Sequence, residues 1–242
     1  MWDVLKLALL HPKDYFGAIK SQQIVLKETI DEGNDIYSFI FTLTRPTLWK
    51  TGQHAVFRFP EETMAGRNWR PFSVASSPHE GTIRIGTICV NEPSPFKQKL
   101  RSLKPGDTLT MNGPFGEFYV SNKDTQLVGV AGGIGITPFR ALLHDIAHGH
   151  LDTPITLIYA AKPGAHTYKD EFDRYLTMTD KIQIYYVSER QEVADTLDSL
   201  ISEHGNTASY FISGAPRMID GIRTTLEEHG ITRIVNDPFK GY

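Results

Sequence analysis

Residues 131–138 read Ala131-Gly132-Gly133-Ile134-Gly135-Ile136-Thr137-Pro138, and the periodicity of the chain changes on either side of them. Just before the glycines, 127–131 is a short apolar run of strand composition. Just after them, Phe139, Leu142, Leu143, Ile146 and Ala147 fall on one face of a helix expected over 138–148. The stretch is therefore a strand-to-helix turn. Its glycines permit positive φ and let a ligand approach the backbone without meeting a Cβ. Thr137 is placed to cap the helix, and Pro138 to fill its first position. Free N–H groups and the helix dipole at such a turn suit an anion such as a pyrophosphate. The spacing is not the GxGxxG of the Rossmann fingerprint, and a plain tight turn is the competing reading.

Downstream, apolar strands expected at 155–161, 182–187, 210–213 and 231–235 alternate with helices near 168–178, 194–204 and 216–229. Such βα alternation implies a parallel sheet covered on both faces. Upstream, β-branched and aromatic runs at 24–30, 36–43, 54–59, 71–75 and 82–90 are separated by turn signals, among them Asp31-Glu32-Gly33-Asn34 and Thr51-Gly52. One short helix is expected over 95–103, before the turn Lys104-Pro105-Gly106-Asp107. Closely spaced strands of this kind predict a small antiparallel barrel. The expected organisation is an N-terminal helical extension over 1–21, a β-barrel over 22–121 and a parallel α/β domain over 122–242.

The formal charge is −3, from 25 Lys and Arg against 28 Asp and Glu, so no basic footprint for nucleic acid is present. The apolar run at 4–10 is far shorter than the roughly 20 residues that span a bilayer. It also lacks a basic leader and a cleavage site, which predicts a cytoplasmic protein with no transmembrane segment. The run reads as a helix packed across the barrel, with a membrane-surface helix as the alternative. Cys89 is the only cysteine and cannot by itself ligate an iron–sulfur cluster. His144 and His148 stand at i and i+4, but no third ligand is in phase, so no metal site is expected. Redox chemistry here requires an organic cofactor.

Three constellations offer such a cofactor partners. Arg70-Pro71-Phe72-Ser73 places a permanent guanidinium, an aromatic ring and a small hydroxyl within four residues. These suit a phosphate, a ring plane and a ring-edge nitrogen. A β-turn with a surface Arg and a core Phe explains them equally well. The glycine turn is the second. The third, Ser213-Gly214-Ala215-Pro216-Arg217-Met218, follows another strand and exposes Ser213 at its carboxyl end, where open parallel sheets bind ligands. The chain ends Asp237-Pro238-Phe239-Lys240-Gly241-Tyr242, with two aromatics that read as a frayed tail or a ring shield.

In order and spacing these motifs resemble the ferredoxin–NADP reductase superfamily over roughly residues 22–242. Arg70-Pro71-Phe72-Ser73 is similar to the family's flavin motif. Gly86-Thr87-Ile88-Cys89-Val90 resembles the next flavin-lining strand, and Ser94-Pro95-Phe96-Lys97 the phosphate-binding helix start. Gly113-Pro114-Phe115-Gly116 resembles the loop closing the barrel, and 132–138 the nicotinamide-pyrophosphate loop. The resemblance implies FAD in the barrel, held by Arg70, Pro71, Phe72, Ser73, Thr87, Ile88, Val90, Ser94, Pro95 and Phe96. It implies NAD(P)H over Gly132, Gly133, Gly135, Ile136, Thr137, Pro138, Gly214, Pro216 and Met218. Ser73, Ser213, Asp237 and Phe239 are the implied reacting-centre residues, with Phe239 or Tyr242 packed on the flavin. Where the family usually has Cys-Gly-Pro-Pro, this chain has Ser213-Gly214-Ala215-Pro216, which predicts slower hydride transfer. The family's frequent ferredoxin domain is not encoded in these residues.

The activity implied is a flavin-dependent NAD(P)H oxidoreductase that passes electrons to a ferredoxin, a flavodoxin or an oxygenase component. A small-molecule acceptor such as a ferric chelate is the rival within the enzyme class. A flavin-binding electron-relay or regulatory subunit with weak turnover is the rival outside it. Ser188 and Arg190, after the third α/β strand, suit a 2′-phosphate, while Glu189 between them opposes it; the balance is taken as favouring NADPH.

Overall fold

A computed structural model of the chain describes residues 12–60, 66–90 and 93–237. The expected helix over 4–10 and the terminal aromatics Phe239 and Tyr242 lie outside the described residues. The chain divides into two compact units, Met1–Tyr119 and Val120–Tyr242.

The first unit is a six-stranded antiparallel sheet built from β1 (Ser21–Gly33), β2 (Ile36–Leu43), β3 (His54–Arg58), β4 (Trp69–Ser73), β5 (Thr82–Ile88) and β6 (Thr108–Phe115). Their spatial order is β4-β3-β6-β1-β2-β5. The backbone N–H of Ala75, just past β4, donates to the carbonyl of Arg84 in β5 at 2.7 Å and joins the two outer strands into a small barrel. Alternation along the strands sends Ile24, Leu26, Phe39, Phe41, Phe57, Ile83, Ile85 and Met111 inward, where all are buried. A bulge between Leu26 and Glu28 resets the register of β1 against β2. Helix α1 (Pro95–Ser102) covers this core with Phe96 and Leu100, one turn apart and both fully buried.

Strand β6 has no counterpart in the sequence reading. Its alternation is present at Leu109 and Met111, but Gly113-Pro114 at its far end reads as a turn and hides the strand. It pairs with both β1 and β3 at the centre of the sheet.

The second unit is a five-stranded parallel sheet of β7 (Leu127–Gly132), β8 (Ile155–Ala160), β9 (Ile182–Val187), β10 (Ser209–Ser213) and β11 (Ile234–Asn236). The order β11-β10-β7-β8-β9 runs outward from β7 in both directions. Its helices are α2 (Thr137–Ala147), α3 (Lys169–Leu176), α4 (Arg190–His204) and α5 (Pro216–Glu228). Val128, Val130, Ile158, Tyr210 and Ile212 form one buried core with Leu197, Leu200 and Ile201 of α4 and with Ile219, Ile222 and Leu226 of α5. Two boundaries of this unit differ from expectation by three residues or more. Helix α4 starts four residues earlier than the apolar pattern shows, because its first turn is polar and is held by capping instead of burial. Strand β11 starts at Ile234 instead of 231.

Candidate functional site

In the first unit the Arg70-Pro71-Phe72-Ser73 run lies in β4 and pairs with β3: Phe72 opposite Ala55, Ser73 opposite His54. Arg70 and Phe72 share one face of the strand because they are two residues apart. The Phe72 ring stands 5.8 Å from Phe57 and 6.0 Å from Phe96, so it is half-buried against the core and not free on the surface. The Arg70 guanidinium lies 5.9 Å from the Phe96 ring, and its Nη1 donates to the Trp69 carbonyl at 3.1 Å. Phe96 thus ties the arginine of β4 to the first turn of α1.

That turn is chemically unusual. Ser94 is its N-cap, yet its hydroxyl makes no cap bond and is buried with no partner among the described residues. Pro95 opens the helix and removes an N–H that would need a partner. Lys97, three residues in, puts a cation where the helix dipole disfavours one. Its ammonium donates to the Ile88 carbonyl at 2.9 Å. Burial lowers the pKa of Lys97, and the Arg70 charge pushes the same way. Two half-buried cations that repel each other, beside an unpartnered hydroxyl and a helix N-terminus, fit the diphosphate of FAD. Lys97 stands in the motif Ser94-Pro95-Phe96-Lys97 but is not among the cofactor contacts expected from the sequence; its burial makes it a further candidate.

Around the turn, Thr87 is buried, Ile88 is half-buried and Val90 is 52% exposed, so only the last two offer surface. His54, opposite Ser73 on the neighbouring strand β3, is buried with its ring 4.4 Å from Phe115. Burial pulls its pKa down to about 3, so it is neutral.

In the second unit β7 and β10 are neighbours, but the chain leaves them in opposite directions across the sheet. Their carboxyl ends therefore flank a topological switch point, the crevice where open α/β sheets bind ligands. The glycine turn follows β7 and Ser213-Gly214-Ala215-Pro216 follows β10, so the structure brings these two candidates together. Gly135 makes the junction possible: a Cβ there would stand 2.5 Å from the Ser213 carbonyl carbon and 2.6 Å from the Gly214 nitrogen. Met218 packs on both loops, its sulfur filling the space a Cβ on Gly132 would need. Gly133 is different. It has φ of +53°, and a Cβ there would meet no described atom within 4 Å, so it faces open space.

Thr137 does not cap. Residues Gly133–Ile136 form a 3-10 turn, α2 begins at Thr137 itself, and the threonine hydroxyl donates to the Ile134 carbonyl at 3.0 Å. The Thr137 N–H is likewise taken by the Ile134 carbonyl, so the 3-10 turn caps the helix start in place of the threonine side chain. Ile136 and Pro138 are buried and hold the turn by packing. Pro216 opens α5 as expected of its type. Ser213 and Asp237, far apart in sequence, meet: the buried serine hydroxyl donates to Asp237 Oδ2 at 3.1 Å, and the Asp237 N–H donates to the Ile212 carbonyl at 2.9 Å. Ser188 and Arg190 lie past β9 and are exposed. His144 and His148 stack on each other at 4.1 Å, each edge-on to Tyr175. Among the described residues no cluster of His, Cys, Asp or Glu is arranged to hold a metal.

Two family models match in tandem: the oxidoreductase FAD-binding domain over residues 23–119 and the oxidoreductase NAD-binding domain over 130–224. The chain belongs to the ferredoxin–NADP reductase superfamily. As a member it is an FAD- and NAD-binding oxidoreductase. Among its relatives, one subunit of the Na(+)-translocating NADH-quinone reductase of Yersinia enterocolitica is 25% identical over 77% of this chain and 52% of its own length. The chain thus spans about half of that relative. NADH-cytochrome b5 reductase 1 of Aspergillus fumigatus is 26% identical over 92% of this chain and 79% of its own. A mutant ferredoxin-NADP+ reductase from Plasmodium falciparum, solved with 2'P-AMP, shares the fold with a TM-score of 0.74 at 16% identity, covering 90% of this chain and 95% of its own. Among the described residues no helix is long and apolar enough to cross a membrane.

Proposed function

We propose that this superfamily member is a cytoplasmic reductase that takes electrons from a nicotinamide dinucleotide onto FAD and delivers them to a separate electron-carrier protein. A ferredoxin, a flavodoxin or an oxygenase component has the chemistry required. The observation that carries the reading is the presence in one chain of two fitted anion cradles, at the start of α1 and at the β7–β10 switch point. FAD, when bound, accepts two electrons from a dinucleotide and releases them singly.

The protein's own residues divide that work. Arg70 and Lys97 neutralise the flavin diphosphate, with the Ser94 hydroxyl as a further donor. Phe72 gives the apolar wall for the ring, Ser73 offers a hydroxyl to its edge, and Ile88 and Val90 border it. Gly132, Gly133 and Gly135 bring main-chain N–H groups to the dinucleotide pyrophosphate, while Gly214, Pro216 and Met218 hold the opposite lip. Ser213, oriented by Asp237, faces the nicotinamide end, and Phe239 and Tyr242 are candidate ring shields. The relatives' names pair this fold with NADH, whereas the Plasmodium neighbour holds 2'P-AMP, so relationship alone leaves the donor open.

Anaerobic mixing of the FAD-loaded protein with NADH and NADPH, followed near 450 nm, tests the reading. Bleaching, then reoxidation by an added carrier protein, is the expected result. A second reading, an electron-relay subunit with weak turnover, rests on Ser213 in the place of the family's cysteine. A bound flavin that dithionite reduces and neither dinucleotide does would move the conclusion there. A chain that takes up no flavin would overturn both.

A further inference from the structure

The parallel sheet of the second unit ends in two unlike strands. At one end β11 is only Ile234–Asn236, and Arg223 of α5 donates to the Asn236 side chain. At the other end β9 runs Ile182-Gln183-Ile184-Tyr185-Tyr186-Val187, with no charge, proline or glycine in it. Edge strands are ordinarily blunted by such residues, because their outward N–H and C=O groups pair with any strand offered to them. Among the described residues of this unit, the exposed large apolar side chains are Leu176, Met178 and Tyr185, all within β9 or on the segment that leads into it.

The main chain of β9 decides how that edge can pair. The Ile155 N–H donates to the Lys181 carbonyl at 2.8 Å and the Ala161 N–H to the Val187 carbonyl at 3.1 Å, so the odd-numbered residues turn toward β8. Ile182, Ile184 and Tyr186 therefore turn their N–H and C=O groups outward. Two copies related by a twofold axis pair antiparallel, and bonds form only where outward residues stand opposite outward residues. One register that does this sets Ile184 against Tyr186, and Tyr185 against itself on the axis. It also sets Lys181 of each copy against Glu189 of the other, cation to anion on both sides of the axis. Shifting the second copy by two residues centres the pairing on Ile184; that lays the Lys181 ammonium against Val187 and leaves Glu189 opposite Thr179.

We infer that the chain forms a twofold dimer through β9, joining the parallel sheets of two copies edge to edge in the register centred on Tyr185. The tyrosine pair then occupies a non-hydrogen-bonded site, where side chains of paired strands approach closest and aromatic pairs are stabilising. Gln183, whose Nε2 donates to the Tyr185 hydroxyl at 2.7 Å, stands beside it on the same face. The Ser188 N–H is held by Glu192 Oε2 at 2.9 Å, which ends the ladder where α4 begins. Lys181 already meets Asp152 at 2.5 Å, but the Asp152 side chain is 96% exposed, and so solvated a pair competes weakly. Assembly stops at two copies, because each has used its long edge and β11 is too short to extend the sheet.

Sedimentation equilibrium of the FAD-loaded full chain tests the pairing. Wild type is expected to dimerise reversibly with a micromolar dissociation constant, as suits a small interface. Tyr185→Glu sets two like charges on the axis at an exposed position. It is expected to weaken the dimer about 100-fold while the melting temperature of dilute protein stays unchanged. Lys181→Glu and Glu189→Lys are each expected to weaken it about tenfold, and the charge swap K181E/E189K to restore it. Tyr185→Cys is expected to oxidise to a disulfide-linked dimer, since Cys89 is buried and does not compete. Wild type that stays monomeric as its concentration rises overturns the inference and leaves the edge to a strand of another protein. A dimer indifferent to Tyr185→Glu places the contact elsewhere and overturns it as well. A swap as weak as either single charge reversal overturns the register.

Discussion

Lys97 shows how much of this site rests on a single unfavourable choice. A lysine in the first turn of a helix opposes the dipole, and burial beside Arg70 makes its charge costlier still. An anion reverses both penalties. Lys97→Met keeps the aliphatic stem and removes the charge, and is expected to weaken FAD about 10- to 100-fold with the melting temperature of the apoprotein unchanged or raised. Flavin fluorescence on dilution reads this directly, and unchanged retention would remove Lys97 from the diphosphate site. Arg70 and Ser94 are legible in the sequence because they stand in short motifs. Lys97 shares the motif of Ser94, but most helix lysines are solvated and only the fold reveals that this one is half-buried. His54 carries a second expectation. Its folded pKa is near 3, while the unfolded chain takes its proton near pH 6.5. The unfolded state therefore binds more protons between those values, and stability falls as pH drops, by about 1.4 kcal/mol per unit from this group. Urea midpoints at pH 7 and 5 should differ less in His54→Gln than in wild type. Equal slopes would show that burial does not lower the His54 pKa.

Glycines of the β7–α2 turn divide into two kinds that composition cannot separate. Gly135 lies against the backbone of Ser213 and Gly214, so Gly135→Ala forces the two loops apart. The expected cost is about 1–3 kcal/mol of stability together with a drop of roughly tenfold in the rate of flavin reduction. Gly133 faces open space in a left-handed conformation, so Gly133→Ala costs only about 1–2 kcal/mol of local strain and acts mainly on the KM for the dinucleotide. Paired melting curves and KM values separate the two cases; a Gly135→Ala protein as stable as wild type would show that the loops are not wedged. The alternating βα half is legible because its strands are continuous apolar runs. What escapes are elements whose signals are polar or punctuated. β6 ends in Gly113-Pro114 and reads as a loop. The first turn of α4 is Arg190-Gln191-Glu192, without apolar periodicity. The pairing of Ser213 with Asp237 is also invisible, because 24 residues and a whole helix separate them in the chain.

The two units close separate hydrophobic cores, Phe39, Phe41 and Phe57 in one and Val130, Tyr210 and Ile212 in the other. A ligand stabilises only the unit whose folded form it binds, by about 2.7 kcal/mol at a hundredfold excess over Kd. FAD should therefore slow amide exchange in Met1–Tyr119, most of all where α1 and β4 meet at Phe96 and Arg70. A dinucleotide should slow exchange in Val120–Tyr242, at the turn after β7 and at the loop after β10. Hydrogen exchange read by mass spectrometry on the intact chain distinguishes these patterns peptide by peptide. Each cradle is assembled from strands and helices of its own unit, so protection is expected to follow that division. FAD protection confined to Val120–Tyr242 would mean that the Arg70–Lys97 cluster is not the flavin's phosphate site. Its positive charge would then have to be explained by another anion.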